Sequence, residues 1–428
     1  MFKSGIPEAP PAPPQATAVP ITRSTSGLFA TFWTVQGWGL ILLTFMSFFP
    51  RLFHIEEYLF FTLLATAIAA AWANGRTIWV RTPIDLPLLL FVGWVLLTIP
   101  FAIDPSYSFA EWRKLVAQVL VFYWTLLVLR EQPKDEIARG ILIAVVVGTA
   151  VLAAYSLTDF VESGGTWRDR FVRAQAPASD YQWLSTYMVI AIPMLIASSI
   201  VFRNWWQRAA CLGAVGLALL AQVFSYTRAG WLGMATQALA FGLFIGRRRL
   251  SLWLVASCLM IGVGLLSVSQ MGYQRSTVDP WTLNARLVVW KAGIAEMLKH
   301  PLVGFGYGNY SFSVLVHGTP TGDMVMGLHN TFLMVGVGSG LPALAALVWT
   351  LVTIAKAVFE KFNTTESQWE RLVSLALVLI VVGFSVRNLF DYMFAGSLAY
   401  LFWMLMATGL TEGADKKVID VPPSGRHN

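Results

Sequence analysis

The chain has 428 residues, of which 56% are hydrophobic and only 12% are charged, and its formal net charge is +7. A mean hydropathy of +0.63 excludes a soluble globular protein of this size, because the surface of such a protein needs far more charged residues. The composition predicts a polytopic membrane protein.

The first 28 residues contain PEAPPAPPQ and predict a disordered cytoplasmic tail, because they offer little apolar surface to bury. A membrane helix needs about 20 mostly apolar residues. Twelve such stretches follow, at 29–49, 57–73, 84–102, 114–129, 138–158, 182–202, 209–224, 230–246, 250–270, 328–352, 372–389 and 394–411. Cys211 and Cys258 fall inside predicted spans, so no disulfide or metal site is predicted.

The predicted fold is an all-α integral membrane protein with about twelve transmembrane helices. Nine spans occupy 29–270, an outer loop occupies 271–327, three spans occupy 328–411, and a second cytoplasmic tail occupies 412–428. Placing both termini in the cytoplasm puts most Lys and Arg residues in cytoplasmic loops, including the run GRRRL after the eighth span.

Eight basic residues remain on the outer face, against this charge bias: Arg168, Arg170, Arg173, Arg228, Arg275, Arg286, Lys291 and Lys299. Any one of them could equally snorkel from a helix end. As a group they predict an anionic ligand on the outer face, because positive charge there opposes the topology.

The outer loop contains the stretch TLNARLVVWKAGIAEMLKHPLVGFGYGNY. Its apolar spacing predicts a helix capped by Asn284 and ended by Pro301, lying at the membrane interface with Arg286 and Trp290 on one face. Glycines 304, 306 and 308 follow this helix. They favour a tight turn over a phosphate-binding loop, which would need a preceding strand and a following helix.

His329 and Asn330 stand directly before the tenth span, in MGLHNTFLMVGVGSGL. A lone His at a helix start is usually structural, but this chain has only five histidines and places this one beside several outer arginines. Because imidazole accepts a proton near neutral pH, His329 is a candidate general base for a hydroxyl group.

Three segments, SYTRAGWLG, ARLVVWKAGIAEMLKHPLVGFGYGNY and GLHNTFLMVGVGSGL, resemble in order and spacing the core of the O-antigen ligase and polymerase superfamily. The resemblance is close over residues 160–345. These enzymes transfer saccharides from undecaprenyl diphosphate at the periplasmic face of bacterial inner membranes. The resemblance therefore implies that location, a lipid A core or other glycan acceptor, and an inverting transfer without metal or other cofactor; no nucleic acid partner is implied.

By position, the resemblance implies that Arg228 and Arg286 bind the diphosphate and that His329 takes the proton from the acceptor hydroxyl. A planar guanidinium suits phosphate oxygens, and Arg286 would thereby act on the reacting groups. Asn330 and Trp290 would support these three residues, with Asn330 orienting the ring or a sugar.

A further arginine of the family, in the loop before the sixth span, corresponds to Arg173 in RAQAPASDYQWLS, or else to Arg170. The match is looser there, because Ala176 and Asp180 replace the glycine and asparagine expected after that arginine.

Acidic residues near the outer face predict structural roles. Glu56 and Glu57 favour a stabilising charge at the start of the second span over metal binding. Arg387 and Asp391, four residues apart at the end of the eleventh span, predict a structural ion pair.

The favoured function is that of an O-antigen ligase in lipopolysaccharide assembly. The alternative within the superfamily is an O-antigen or exopolysaccharide polymerase, whose acceptor is another lipid-linked repeat unit, and a ligase for another glycan or a protein stays open. A polysaccharide transporter or flippase is less favoured, because it would place ionisable groups or broken helices near mid-membrane in related halves, and the sequence shows neither.

Overall fold

The computed structural model describes residues 27–166, 172–245, 250–269, 280–315, 317 and 327–411. Within these ranges the chain is all helical, as predicted, and no strand occurs. Most of both predicted tails, the run at 246–249 and Arg170 lie outside the described residues. The α-helices are α1 Gly27–Met46, α2 Phe53–Ala73, α3 Asp85–Thr98, α4 Pro105–Glu131, α5 Lys134–Glu162, α6 Tyr181–Val201, α7 Trp205–Phe224, α8 Arg228–Ile245, α9 Leu250–Ser269, α10 Pro280–Lys299, α11 Asn309–Leu315, α12 Thr331–Thr364, α13 Gln368–Asn388 and α14 Gly396–Leu410.

Several helices can cross a membrane. By length and composition, seven described segments qualify: Pro50–Ala73, Pro105–Glu131, Asp135–Glu162, Tyr181–Val201, Trp205–Phe224, Thr331–Thr364 and Gln368–Asn388. Shorter apolar helices cover Thr31–Met46, Asp85–Phe101, Leu250–Val263 and Gly396–Leu410. The structure therefore confirms an all-helical protein with several candidate membrane spans, while the predicted total of twelve stays a prediction.

Helix boundaries differ from the prediction where polar residues are helical. The fourth span, predicted at 114–129, begins at Pro105, where the Asp104 side chain caps α4 by accepting a hydrogen bond from Tyr107 N. Asn284 is not a helix cap, because α10 already begins at Pro280. Hydropathy underestimates α4 because its first turns contain polar residues such as Ser106, Glu111 and Lys114. In the same turns, Tyr107 accepts a hydrogen bond from Tyr310 N of α11.

The tenth span is longer than predicted and is broken. It runs from Thr331 to Thr364 as α12, and Gly340 within it has a non-helical backbone with φ 81°. This break was not predicted from the sequence. Pro342 has no N–H to donate to the carbonyl of Gly338, so α12 needs an outside partner at this point.

The glycine-rich segment after α10 supplies those partners. Phe305 N donates to Val337 O at 3.0 Å, and Gly306 N donates to Gly338 O at 2.8 Å. Glycines 304, 306 and 308 all have positive φ, which suits a turn. The segment turns, as predicted, and it also satisfies the backbone of the broken helix.

Helices α4, α6, α13 and α14 form much of the buried centre of the bundle. Helix α6 packs against α7, α8 and α13, while α14 packs against α4 and α12 packs against α3, α10 and α13. Hydrogen bonds join the end of α13 to the start of α6, the turn before α12 to the loop after α13, and Glu56 of α2 to the end of α1 and the start of α14. The first turn of α4 lies at the same end, because Tyr107 and Tyr392 line one cavity. We call this the His329 end.

Candidate active site

His329 lies in the turn before α12, with an unusual backbone conformation. Its φ is 46°, and the other non-glycine residues with positive φ in the described ranges, Ala178 and Tyr226, also lie just before helices at the His329 end. Such a conformation costs about 1–3 kcal/mol in a residue other than glycine and is concentrated at functional sites. The backbone itself therefore singles out this end of the molecule.

Asp391 contacts the imidazole of His329. The distance from His329 Nδ1 to Asp391 Oδ1 is 3.1 Å, and the carboxylate is largely buried whereas the imidazole is 38% exposed. When an Asp accepts a hydrogen bond from Nδ1–H of a neutral histidine, Nε2 carries no proton, which is the tautomer that a general base needs. This pairing was not predicted from the sequence.

The carboxyl group of Asp391 is held in its ionised form. Burial raises the pKa of Asp391, but the hydrogen bond from His329 and the positive charges of Arg387, His329 and Arg286 outweigh burial and leave the pKa below its ordinary value. A permanent negative charge thus lies beside Nδ1 of His329, where it would stabilise an imidazolium.

Arg387 joins this pair to α6. The predicted ion pair with Asp391 is confirmed, at 3.7 Å between Nη2 and Oδ2, and Arg387 is completely buried. The same Nη2 donates to the side-chain oxygen of Gln182 at 3.0 Å and to its main-chain oxygen at 3.3 Å. The pair is therefore structural, as predicted, and in addition it places Asp391 against His329.

Helix α10 brings Arg286 to the same cluster. Trp290 Nε1 donates to Leu328 O at 3.0 Å, which ties α10 to the residue before His329. Arg286 lies one turn before Trp290, is partly exposed, and is near enough for its charge to act on both Arg387 and Asp391. The structure thus brings together Arg286, Trp290 and His329.

Arg173 and Arg228 flank the start of α6. The guanidinium of Arg173 lies 4.1 Å from the ring centroid of Tyr181. Thr227 directly precedes the exposed Arg228, and its hydroxyl donates a hydrogen bond of 3.4 Å to the main-chain oxygen of Tyr181. Gln182, the partner of Arg387, follows Tyr181, so one turn of helix connects these arginines with the His329 cluster.

Two residues singled out in the sequence act as helix caps. Asn330 Oδ1 accepts from Leu333 N at 3.0 Å and begins α12, which engages the oxygen that would otherwise orient a sugar. Asp180 accepts from Gln182 N and Trp183 N and begins α6. Aspartate serves here as well as the asparagine expected, because both are good N-caps.

The two adjacent glutamates point to different partners. Glu56 is fully buried and bonds to Ser47 and Ser397, which tie α1 to α14. Glu57 lies 3.7 Å from His54. Glu56 belongs to the first turn of α2, in agreement with the predicted structural role. In the described part of the chain, no group of three or more His, Cys, Asp and Glu residues is arranged to hold a metal ion.

A comparison with protein families matches residues 213–348 to the family described as O-antigen ligase. The match includes Arg228, Arg286, Trp290, His329 and Asn330, and it confirms the predicted resemblance to the O-antigen ligase and polymerase superfamily. No curated protein matches the chain significantly. Asp391 and Arg387 lie beyond the matched residues, so only the fold connects them with the site.

Proposed function

We propose that this protein is an inverting, metal-independent glycosyltransferase that acts as an O-antigen ligase. It would move a saccharide from undecaprenyl diphosphate to a hydroxyl of lipid A core or another glycan at the periplasmic face of a bacterial inner membrane. The observation that carries the proposal is the contact of His329 with Asp391 beside Arg286, because His329 and Arg286 belong to the segment that is similar to O-antigen ligases.

Proton transfer would begin the reaction. Nε2 of His329 takes the proton of the acceptor hydroxyl while that oxygen forms a bond to the anomeric carbon of the donor saccharide. The imidazolium is then balanced by Asp391, which is held ionised. Asp391 acts through His329 and is a positioning residue, and Arg387 fixes the carboxylate in turn.

The bond from the anomeric carbon to the diphosphate oxygen breaks in the same step, and its electron pair leaves with the diphosphate. Arg286 and Arg228 would bind this growing negative charge, with Arg173 or Arg170 as a further contact. Attack opposite the departing diphosphate inverts the anomeric carbon. Guanidinium groups thus take the part that a divalent cation plays in other transferases.

The membrane arrangement is part of the proposal. The twelve helices α1–α9 and α12–α14 would span the bilayer, both termini would face the cytoplasm, and the loop at 271–327 with α10 would lie at the periplasmic surface. In support, Arg76 and Arg130 lie together at the end of the bundle opposite His329, where the charge bias predicts the cytoplasm.

The test is transfer by the purified protein. Lipid-diphosphate oligosaccharide is incubated with and without lipid A core, in the presence of EDTA. Transfer to core is expected for a ligase and chain growth on the lipid donor for a polymerase. Activity that is abolished by EDTA and restored by magnesium or manganese would overturn the metal-independent mechanism and direct attention to Glu57.

A further inference from the structure

A cavity lies at the His329 end, beside the candidate active site. Its volume is about 280 Å³, near the lower limit of roughly 300–1,000 Å³ for small-molecule pockets, which suits a single sugar ring. Tyr392, which follows Asp391 directly, forms part of its wall. The polar lining comes from α4, α14 and the adjoining loops, and includes Tyr107, Glu111, Gln118, Tyr307, Tyr392 and Tyr400.

Two residues of this lining each carry a buried polar atom that has no hydrogen-bond partner among the described residues. These atoms are Oε1 of Gln118, whose residue is 5% exposed, and the hydroxyl of Tyr400, whose residue is 2% exposed. Leaving buried polar atoms without hydrogen bonds is costly, and native proteins rarely do so without a functional reason. Both side chains line the cavity, so a small rotation of either would turn its polar atom toward a ligand hydroxyl, which would donate to Gln118 or accept from Tyr400.

The charge of the cavity is opposite to that of the arginine cluster. Glu57 and Glu111 contribute carboxylates, and Lys114 balances one of them through a 2.6 Å ion pair with Glu111. Net negative charge would repel a diphosphate or an acidic sugar, whereas carboxylates accept hydrogen bonds readily from neutral hydroxyl groups. The two halves of the His329 end are therefore suited to different ligands.

The tyrosines provide flat apolar surface beside these polar atoms. The rings of Tyr107 and Tyr310 pack edge to face at 5.5 Å, and Tyr310 N donates to the hydroxyl of Tyr107 at 3.2 Å. Any side chain at Gly308, which has φ 119°, would clash with Tyr107 and Glu111. The glycine thus lets the loop hold both residues at the wall, where a ring can cover the C–H face of a sugar.

We propose that this cavity binds a neutral saccharide ring of the acceptor. The proposal rests on the glycosyltransferase function above. An inverting attack brings the acceptor to the anomeric carbon from the side opposite the diphosphate. Arg228 and Arg286 are carried by α8 and α10, whereas the cavity is formed mainly by α4, α14 and the loop after α10. Tyr392 in the cavity wall directly follows Asp391, so the cavity adjoins the pair of His329 and Asp391.

Saccharide binding can be measured without any transfer reaction. The full-length protein in lipid nanodiscs is titrated with a panel of trisaccharides made of neutral hexoses, of amino sugars or of uronic acids. Binding is measured by saturation-transfer NMR. At least one neutral member should bind and the uronates should not. Tyr400→Phe and Gln118→Leu, which remove single polar atoms, should each weaken binding about three- to tenfold.

Tyr187→Phe is the matched control. Tyr187 is a fully buried tyrosine whose hydroxyl also lacks a partner among the described residues, but it does not line the cavity. Its loss should leave saccharide binding unchanged. Binding of no neutral trisaccharide, a preference for uronates, or equal loss in Tyr187→Phe would overturn the proposal.

Kinetics separate this proposal from the proposed function. In a transferring enzyme, Tyr400→Phe and Gln118→Leu should raise KM for the acceptor three- to tenfold and leave KM for the lipid donor unchanged. Normal transfer with an unchanged acceptor KM in both variants would refute the acceptor site alone. A raised donor KM would assign the cavity to the donor sugar and overturn the acceptor assignment.

Discussion

His329 and Asp391 form a unit at the scale of single residues, because each depends on the other for its role. We expect His329→Ala to slow transfer by about 10² to 10⁴, the range for loss of a positioned base. Asp391→Asn should cost a similar factor, because an amide no longer balances an imidazolium. The double variant should be scarcely slower than either single variant, since residues that act as a unit are not additive.

Single-turnover kinetics at saturating donor measure these losses, and donor binding should persist in all three variants. His329→Asn is a useful companion to His329→Ala, because asparagine tolerates the positive φ at this position and isolates the loss of the imidazole. If the rate loss of the double variant equalled the product of the two single losses, His329 and Asp391 would act independently. Normal turnover in His329→Ala would reduce His329 to a role in the helix start.

Arg286 should need its guanidinium and not merely its charge. Arg286→Lys is expected to impair transfer nearly as much as Arg286→Ala, because a flexible ammonium cannot bind two phosphate oxygens at once. Steady-state kinetics with the lipid donor would show this. Lys291→Ala, an exposed change on the same helix, is the control and should be close to normal. Full activity of Arg286→Lys would mean that charge alone suffices.

Some of these residues could be predicted from the sequence and others could not. His329, Arg286 and Trp290 lie within segments that resemble a known family in order and spacing. That resemblance, together with the helical spacing of Arg286 and Trp290, predicted that the three residues share a site. Asp391 is 62 residues from His329. Because Asp391 follows Arg387 by four residues, an ion pair with Arg387 was a sufficient explanation for it. Its second contact depends on how α12 and α13 pack. The predicted topology was the one indication of this contact, because it places His329 and Asp391 at the same face of the bundle.

At the scale of helices, the break in α12 should be the least tolerant position. A Cβ at Gly340 would clash with the carbonyl of Leu302, and its φ of 81° strains any residue with a side chain. Gly340→Ala should therefore lower the thermal unfolding midpoint in detergent, with a loss of about 1–3 kcal/mol or more. Gly93→Ala in α3, where a Cβ meets nothing within 4 Å, should be neutral or slightly stabilising. Equal midpoints for both variants would contradict this account of the break.

Hydropathy located the helices but could not show how one of them is broken. Each predicted span coincides with a helix, because apolar length is a local property of the sequence. The break depends on Phe305 and Gly306, which reach the carbonyls of α12 from another loop. The stretch GSGLP at 338–342 carried the local signal, since a proline removes the donor for the carbonyl four residues earlier. Because this stretch lies within an apolar run, hydropathy predicted a continuous span there.

At the scale of the whole molecule, the proposed donor and acceptor sites would share one end of the helix bundle. Arg286 on α10 is near enough for its charge to act on Asp391, and the acidic, tyrosine-lined cavity has Tyr392, the neighbour of Asp391, in its wall. An enzyme that joins a lipid-linked diphosphate donor to a sugar acceptor needs this separation, because carboxylates beside the arginines would compete with the diphosphate for their positive charge. The sequence indicated the basic half through its unusual outer charges. The acidic cavity could not be predicted from the sequence, because its residues come from distant segments that only the packed bundle brings together.

The orientation of the bundle is the premise on which the location of this chemistry depends. Single cysteines are introduced into the outer loop at 271–327 and near 247–249, in a chain whose Cys211 and exposed Cys258 are replaced. Those in the outer loop should react with an impermeant thiol reagent added to the periplasm, and those near 247–249 should not, because the run GRRRL is expected to stay in the cytoplasm. A cysteine beside Arg76, at the end opposite His329, should also be protected. Permeabilised cells, in which every exposed cysteine reacts, are the control. Reversed labelling would place His329 at the cytoplasmic face, where a periplasmic transfer from undecaprenyl diphosphate could not occur.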